Sequence, residues 1–224
     1  NAELLIDHAW GYEPCTLKSI KNYKPSFQSI SSGQVLNCPY DYHKTKLIIK
    51  EMAEALSLNL ASKKLVTDKL TLTLGYDIQN QNTSNYEIDM YGRKIPKHSH
   101  GTINLDHKTC VSKTIMEKAL KLYEQIVNKN MLIKRINICA VNVTKESLED
   151  RKPKYRQFDL FTDLNLQNKN LNLEIKDEQK ERKLQNVVLN IKQKFGKNSI
   201  LRGMNLEEGG TMMERNRQIG GHHE

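Results

Sequence analysis

The run Lys69-Leu70-Thr71-Leu72-Thr73-Leu74 alternates strictly between polar and apolar side chains. A period of two places Leu70, Leu72 and Leu74 on one face of a strand and Lys69, Thr71 and Thr73 on the other. The β-branched threonines favour the extended backbone. Such a strand needs cover for its leucines, and it leaves a face of hydroxyls and positive charge with another use.

The neighbouring segments supply the cover. Asp41 is placed to cap a helix whose apolar positions recur every three or four residues: Ile48, Met52, Ala55 or Leu56, and Asn59 or Leu60. Ser112 is read as the cap of a second helix, with Ile115, Ala119, Leu122 and Ile126 on one stripe. Strands are expected over 27–36, 65–76, 101–105 and 133–143. The last carries Ile136, Ile138 and Ala140 on one face and Arg135 and Asn137 on the other. The polar stretch 79–97 is a long loop or an exposed hairpin.

The order strand, helix, strand, strand, helix, strand implies an α+β fold. It is a β-α-β-β-α-β four-stranded sheet with two helices on one face and the other face open. The open face shows Ser29, Ser31, Lys69, Thr71, Thr73, Thr102, Asn104, Arg135 and Asn137. Ser32 is grouped with the neighbouring serines, and Lys97, His98 and His100 lead into the third strand. Hydroxyls and cations on such a face donate to phosphate oxygens without reading bases. The plain alternative is a polar sheet face that is merely solvated.

Charge bears on that choice. Lys and Arg outnumber Asp and Glu by 35 to 26, a net charge of +9. This excess favours nucleic acid or another anionic partner. With 38% hydrophobic and 27% charged residues, a soluble protein with a modest core is expected. No apolar run approaches the roughly 18 residues that span a bilayer, and there is no signal peptide. A cytoplasmic protein without a membrane partner is therefore expected. Cys15, Cys38, Cys110 and Cys139 are far apart with no C-x-x-C, which suits reduced thiols.

Chemistry-bearing clusters are sparse. His98, His100, His107 and Cys110 match no regular zinc spacing, and His222 and His223 read as solvated. Glu149-Asp150 and Glu207-Glu208 lie in highly polar stretches and read as solvated charge. No glycine-rich phosphate loop follows a strand and opens a helix. Neither a catalytic residue nor a metal ligand nor a cofactor site is expected.

At the amino end, Asn1 and Ala2 read as a cloning scar and 3–23 as the end of a domain whose body lies elsewhere. Lys21 to Lys24 forms a basic linker closed by Pro25. Beyond Val143, residues 145–156 read as a charged, exposed linker. Gln157-Phe158-Asp159-Leu160-Phe161 offers an amide and spaced apolar anchors, either for a partner's pocket or for a short strand on its own domain. Residues 176–195 read as a helix with Leu184, Val187 or Val188, Ile191 and Phe195 as its apolar stripe, ended by Gly196. The basic, glycine-rich end, 200–224, is expected to be poorly ordered.

Several stretches together resemble the C-terminal part of a Y-family translesion DNA polymerase, of the UmuC/DinB type found in Gram-positive bacteria. Ser29-Ile30-Ser31-Ser32-Gly33-Gln34-Val35-Leu36 with Tyr40-Asp41-Tyr42 resembles the entry into the little finger domain. Asp89 to Thr102 resembles the subfamily's long connection between its middle strands. Gln157 to Phe161 is similar to the family's sliding-clamp-binding peptide, with Phe158 where leucine is commoner. Lys194 to Arg202 and Arg215 to His222 resemble the subfamily's C-terminal end.

The resemblance implies the end of a thumb within 1–23, a DNA-binding little finger over 24–147, and a tail, 148–224, that carries the clamp peptide and a helix. It implies primer–template DNA and the bacterial sliding clamp as partners, together with the parent's own palm and fingers. Catalytic carboxylates, and the Mg they need, would belong to the palm of the parent rather than to this fragment. A rival from another class is an RNA-binding or ribosome-associated module. That rival predicts exposed aromatics for base stacking, where the assigned strands carry hydroxyls. A pure protein-interaction scaffold with incidental basic charge is the other.

Overall fold

A computed structural model describes residues 2–23, 28–80, 85–88, 90, 92–147 and 164–218, with the backbone alone at 4 and 164–175. Two short helices come first, α1 (Ala2–Ala9) and α2 (Leu17–Asn22). The main unit follows as β1 (Ile30–Tyr40), α3 (Tyr42–Ser62), β2 (Leu65–Tyr76), β3 (Tyr86–Ile88), β4 (Lys94–Pro96), β5 (Ser99–Thr109), α4 (Ser112–Ile126), β6 (Ile133–Val141) and β7 (Thr144–Lys145). A long helix, α5 (Leu164–Phe195), a 3-10 turn (Gly203–Leu206) and α6 (Met212–Arg217) complete the order.

The main sheet runs β1-β6-β2-β5, every neighbour antiparallel, and β7 adds to the end of β2. Helix α3 joins β1 to β2 with β6 inserted between them, and α4 joins β5 to β6 with β2 between. Two split β-α-β units are thus interleaved, which is the α+β arrangement expected, with both helices on one face. The 79–97 stretch holds a two-stranded hairpin, β3–β4.

Burial follows the alternation. Leu70, Leu72 and Leu74 are at most 1% exposed, and they pack with Ile136, Ile138 and Ala140 beneath the helices. From α3 the buried stripe is Ile48, Ile49, Met52, Ala53, Leu56 and Leu60; from α4 it is Ile115, Ala119, Leu122 and Tyr123. Each buried Leu, Ile or Met among them contributes about 1.5–3 kcal/mol on removal from water. Asp41 caps α3 as expected, its Oδ1 accepting from Lys44 N–H at 2.8 Å. Ser112 does not cap α4. It lies inside the helix, buried, with its hydroxyl 2.6 Å from that of Ser57 on α3, so it ties the two helices together.

The C-terminal segment departs most from expectation. Rather than being poorly ordered, residues 198–218 are built onto α3 and β1. Glu51 is 1% exposed on α3. Its carboxylate accepts from Asn205 Nδ2 at 3.0 Å and from the Thr211 backbone N–H at 2.9 Å. Thr211 Oγ1 in turn accepts from Gln34 Nε2 at 2.8 Å. Arg202 pairs with Glu54 at 2.5 Å and Glu181 at 3.1 Å, and Met212 is buried. Helix α5 ends at Gly196, whose φ of +97° a side chain would strain.

Candidate nucleic-acid interface

The uncovered face of the sheet is read off the register. Across β1, β6, β2 and β5 the open-face rows are Val35–Arg135–Gly75, then Gly33–Asn137–Thr73–His100, then Ser31–Cys139–Thr71–Thr102. The last row is Val141–Lys69–Asn104. No carboxylate and no Phe, Tyr or Trp stands in these four rows. Lys69 and Arg135 mark the two ends, separated by six residues of β6 register. At about 3.4 Å per residue that is ~20 Å, roughly the rise of six base pairs.

Local chemistry fixes the groups in place. Thr67 Oγ1 lies 2.5 Å from the Val141 carbonyl and accepts from Lys69 N–H at 3.3 Å. The ladder shifts register there, between Thr67 and Lys69, so this buried hydroxyl pins the irregularity that leads into the strand. Thr73 Oγ1 and His100 Nδ1 are 2.8 Å apart. Where the hydroxyl donates, the ring's Nε2–H is left outward as a donor. A Cβ on Gly75 would fall 3.0 Å from Arg135 Cβ, so the bare glycine gives the arginine side chain its room.

Of the residues singled out in the sequence, Ser31, Lys69, Thr71, Thr73, His100, Thr102 and Arg135 come together on this face. Ser29 sits exposed just ahead of β1. Lys97 is exposed between β4 and β5, its backbone N–H donating to the Asn85 carbonyl at 3.2 Å. Ser32 is a correction. It pairs with Ile138 and so faces the helix side, where Arg215 Nη2 lies 3.4 Å from its hydroxyl. Adjacent serines on a strand cannot share a face. Gln157, Phe158, Asp159, Leu160 and Phe161 lie outside the described residues, as do Lys24 and Pro25 of the linker and His222 and His223.

Sequence reasoning missed the groove at the Arg135 end. Its volume is about 950 Å³, between the sheet and the β3–β4 hairpin, and Val35, Gly75, Met90, Ile95, His98 and Arg135 line it. Lys134 joins the lining and donates to the Asn37 carbonyl at 2.8 Å. The doublet Lys134-Arg135 was the available signal. The histidines are dispersed: His98 Nδ1 meets Glu87 at 3.2 Å and His107 Nε2 meets Glu178 at 3.0 Å. Burial pushes the Cys110 thiol up, which disfavours the thiolate a metal would need.

Residues 27–160, more than half of the chain, match the sequence profile of the impB/mucB/samB family C-terminal domain. The chain belongs to that family. It is a C-terminal portion of a Y-family polymerase, and the impB/mucB/samB domain is its sheet-and-helix unit. No curated protein matches it. Among solved structures it is similar to a chain described as "Complex of beta-clamp processivity factor and little finger domain of PolIV". The likeness has a TM-score of 0.33 at 11% identity, over 60% of this chain and 100% of that one. Among the described residues of the impB/mucB/samB chain, no helix is long and apolar enough to cross a membrane.

Proposed function

We propose that the chain is the DNA-binding, non-catalytic part of a lesion-bypass DNA polymerase, cytoplasmic and serving SOS-type translesion synthesis. The open sheet face grips the backbone of primer–template duplex. Ser31, Lys69, Thr71, Thr73, His100, Thr102 and Arg135 supply the donors, and Ser29, Lys97 and His98 extend the edge. The observation that carries this reading is the open face itself: four rows in register, cations at both ends, hydroxyls between and no carboxylate. Backbone recognition asks for that chemistry. The absence of Phe, Tyr or Trp from the rows counts against base stacking and so against an RNA-binding module. Gln157 to Phe161 tethers the parent enzyme to the sliding clamp and raises its local concentration there.

Two measurements test the two halves separately. Affinity for primer–template should fall steeply with salt. In Lys69→Ala with Arg135→Ala the slope of log affinity against log salt should drop by about 0.9 per lost phosphate contact. Salt-independent binding, or an unchanged slope, would reject the sheet face. On immobilised clamp, the chain carrying Gln157→Ala, Leu160→Ala and Phe161→Ala should wash off where the unaltered chain is retained. Equal retention would reject the peptide.

A further inference from the structure

Helix α5 is turned the unexpected way. Its domain-facing side is polar: Gln185, 5% exposed, donates from Nε2 to the carbonyls of Ser57 at 3.2 Å and Cys110 at 3.0 Å. Arg182 pairs with Glu146 and lies 3.6 Å from Glu178, and Glu178 also holds His107 and Thr109. Val188 and Leu189 are half-buried on that same side, while a second apolar set looks outward. Leu184 is 51% exposed, Val187 52% and Phe195 74%, and Ile191 is half-buried between them. They recur at steps of three, four and four, one continuous stripe about 16 Å long. An amphipathic helix that seats its polar side and shows its apolar side has a second surface to bury.

Charge selects what covers it. At 100° per residue, Lys176, Lys183 and Lys194 fall along one flank of the stripe, Lys180 stands in line with it one turn before Leu184, and all four are exposed. The other flank is closed by Glu181, which is bound to Arg202. A second copy of this helix would bring lysine flank against lysine flank if antiparallel and Lys180 against its own copy if parallel, which disfavours self-association. A flat anionic membrane is a poor fit too, because exposed Asp177 lies in line with Leu184 and only one side of the stripe is basic. We infer that the outward stripe of α5 is a docking surface for an amphipathic helix of a partner protein, one whose apolar side is bordered by acidic residues. The sheet face and its duplex lie on another side of the molecule, so the inference stands apart from the DNA-binding reading.

The test uses the full chain and two synthetic helical peptides with the same leucine stripe, one flanked by glutamates and one by lysines. Fluorescence anisotropy should show binding of the glutamate peptide only, weakening as salt rises. Leu184→Ser with Val187→Ser and Phe195→Ser should reduce that affinity more than about tenfold. These positions are exposed, so thermal unfolding and duplex binding should be unchanged. Lys183→Glu with Lys194→Glu should transfer the preference to the lysine peptide, a reversal that misfolding does not produce. Equal binding of both peptides, or no loss in the serine variant, would overturn the inference. So would concentration-dependent dimerisation through α5, capture by anionic vesicles, or weakened duplex binding in the lysine variant, each of which assigns the face to another occupant.

Discussion

Two glycines show how much a single missing Cβ decides. A Cβ on Gly101 would lie 2.6 Å from Ile126 Cγ2 and 2.9 Å from Leu122 Cδ1, because α4 presses against β5 at this point. Gly101→Ala should therefore cost about 1–3 kcal/mol in urea unfolding, since Ile126 and Leu122 must both shift to admit it. Gly75 is the counterpart on the open face. Gly75→Val should cost less stability than Gly101→Ala, because valine suits a strand and this face is open, yet weaken duplex binding by displacing Arg135. Equal losses of stability and of binding would contradict that division. At this scale the leucines were legible, since period two has only one reading once one face is buried. Ser32 was not: a serine run carries no apolar partner to set its parity. Ser112 misled because a serine before an apolar stripe looks like a cap, whereas its use is a hydroxyl pair with Ser57, 55 positions away in sequence.

Among the elements, α3, α4, β2 and β6 were readable because each buries one stripe of a regular period. Helix α5 was readable as a helix but not in its orientation. Its apolar stripe promised the core, and the contacts that actually seat it are polar: Gln185, Glu178 and Arg182. No periodicity rule finds a buried glutamine aimed at two carbonyls. This polar seat makes the packing of α5 sensitive to acid. The hydrogen bond from His107 holds the Glu178 carboxyl below the usual carboxylate range, with further help from Arg182 and Thr109. The unfolded chain takes up that proton at the ordinary value, near 4.3. The stabilisation is then complete above that pH and lost as pH falls through the lower folded value. Thermal unfolding of the wild type and Glu178→Gln, followed from about pH 6 to pH 3, should show a gap that closes only at the acid end. A gap independent of pH would mean that the charge of Glu178 has no part in seating α5.

Taken whole, the molecule is a family domain with a C-terminal brace. The brace was not legible, because Asn205, Thr211 and Met212 sit in a stretch whose glycines and charges look like a loose end. What orders it is a carboxylate supplied from elsewhere, Glu51, which reaches Asn205 and Thr211 across more than 150 positions of sequence. A chain ended at Gly196 should lose about 2–4 kcal/mol in urea, what two charge-assisted bonds and one buried methionine contribute once the entropy of ordering the brace is subtracted. Its duplex affinity should stay within about twofold, since the brace lies on the helix side. A stability equal to that of the full chain would mean that the brace rests on the domain without supporting it.

The place of β6 has a consequence for how this protein is made. It is the last long strand to be synthesised, yet it lies between β1 and β2. While the ribosome is still extending the chain toward Val141, β1 and β2 have no common neighbour, and the backbone edges they turn toward each other are unpaired. The long-range pairings that complete the sheet arrive together with one late segment. A nascent chain arrested before Ile133 is thus an exposed, adhesive intermediate, and release of β6 closes the domain in one step.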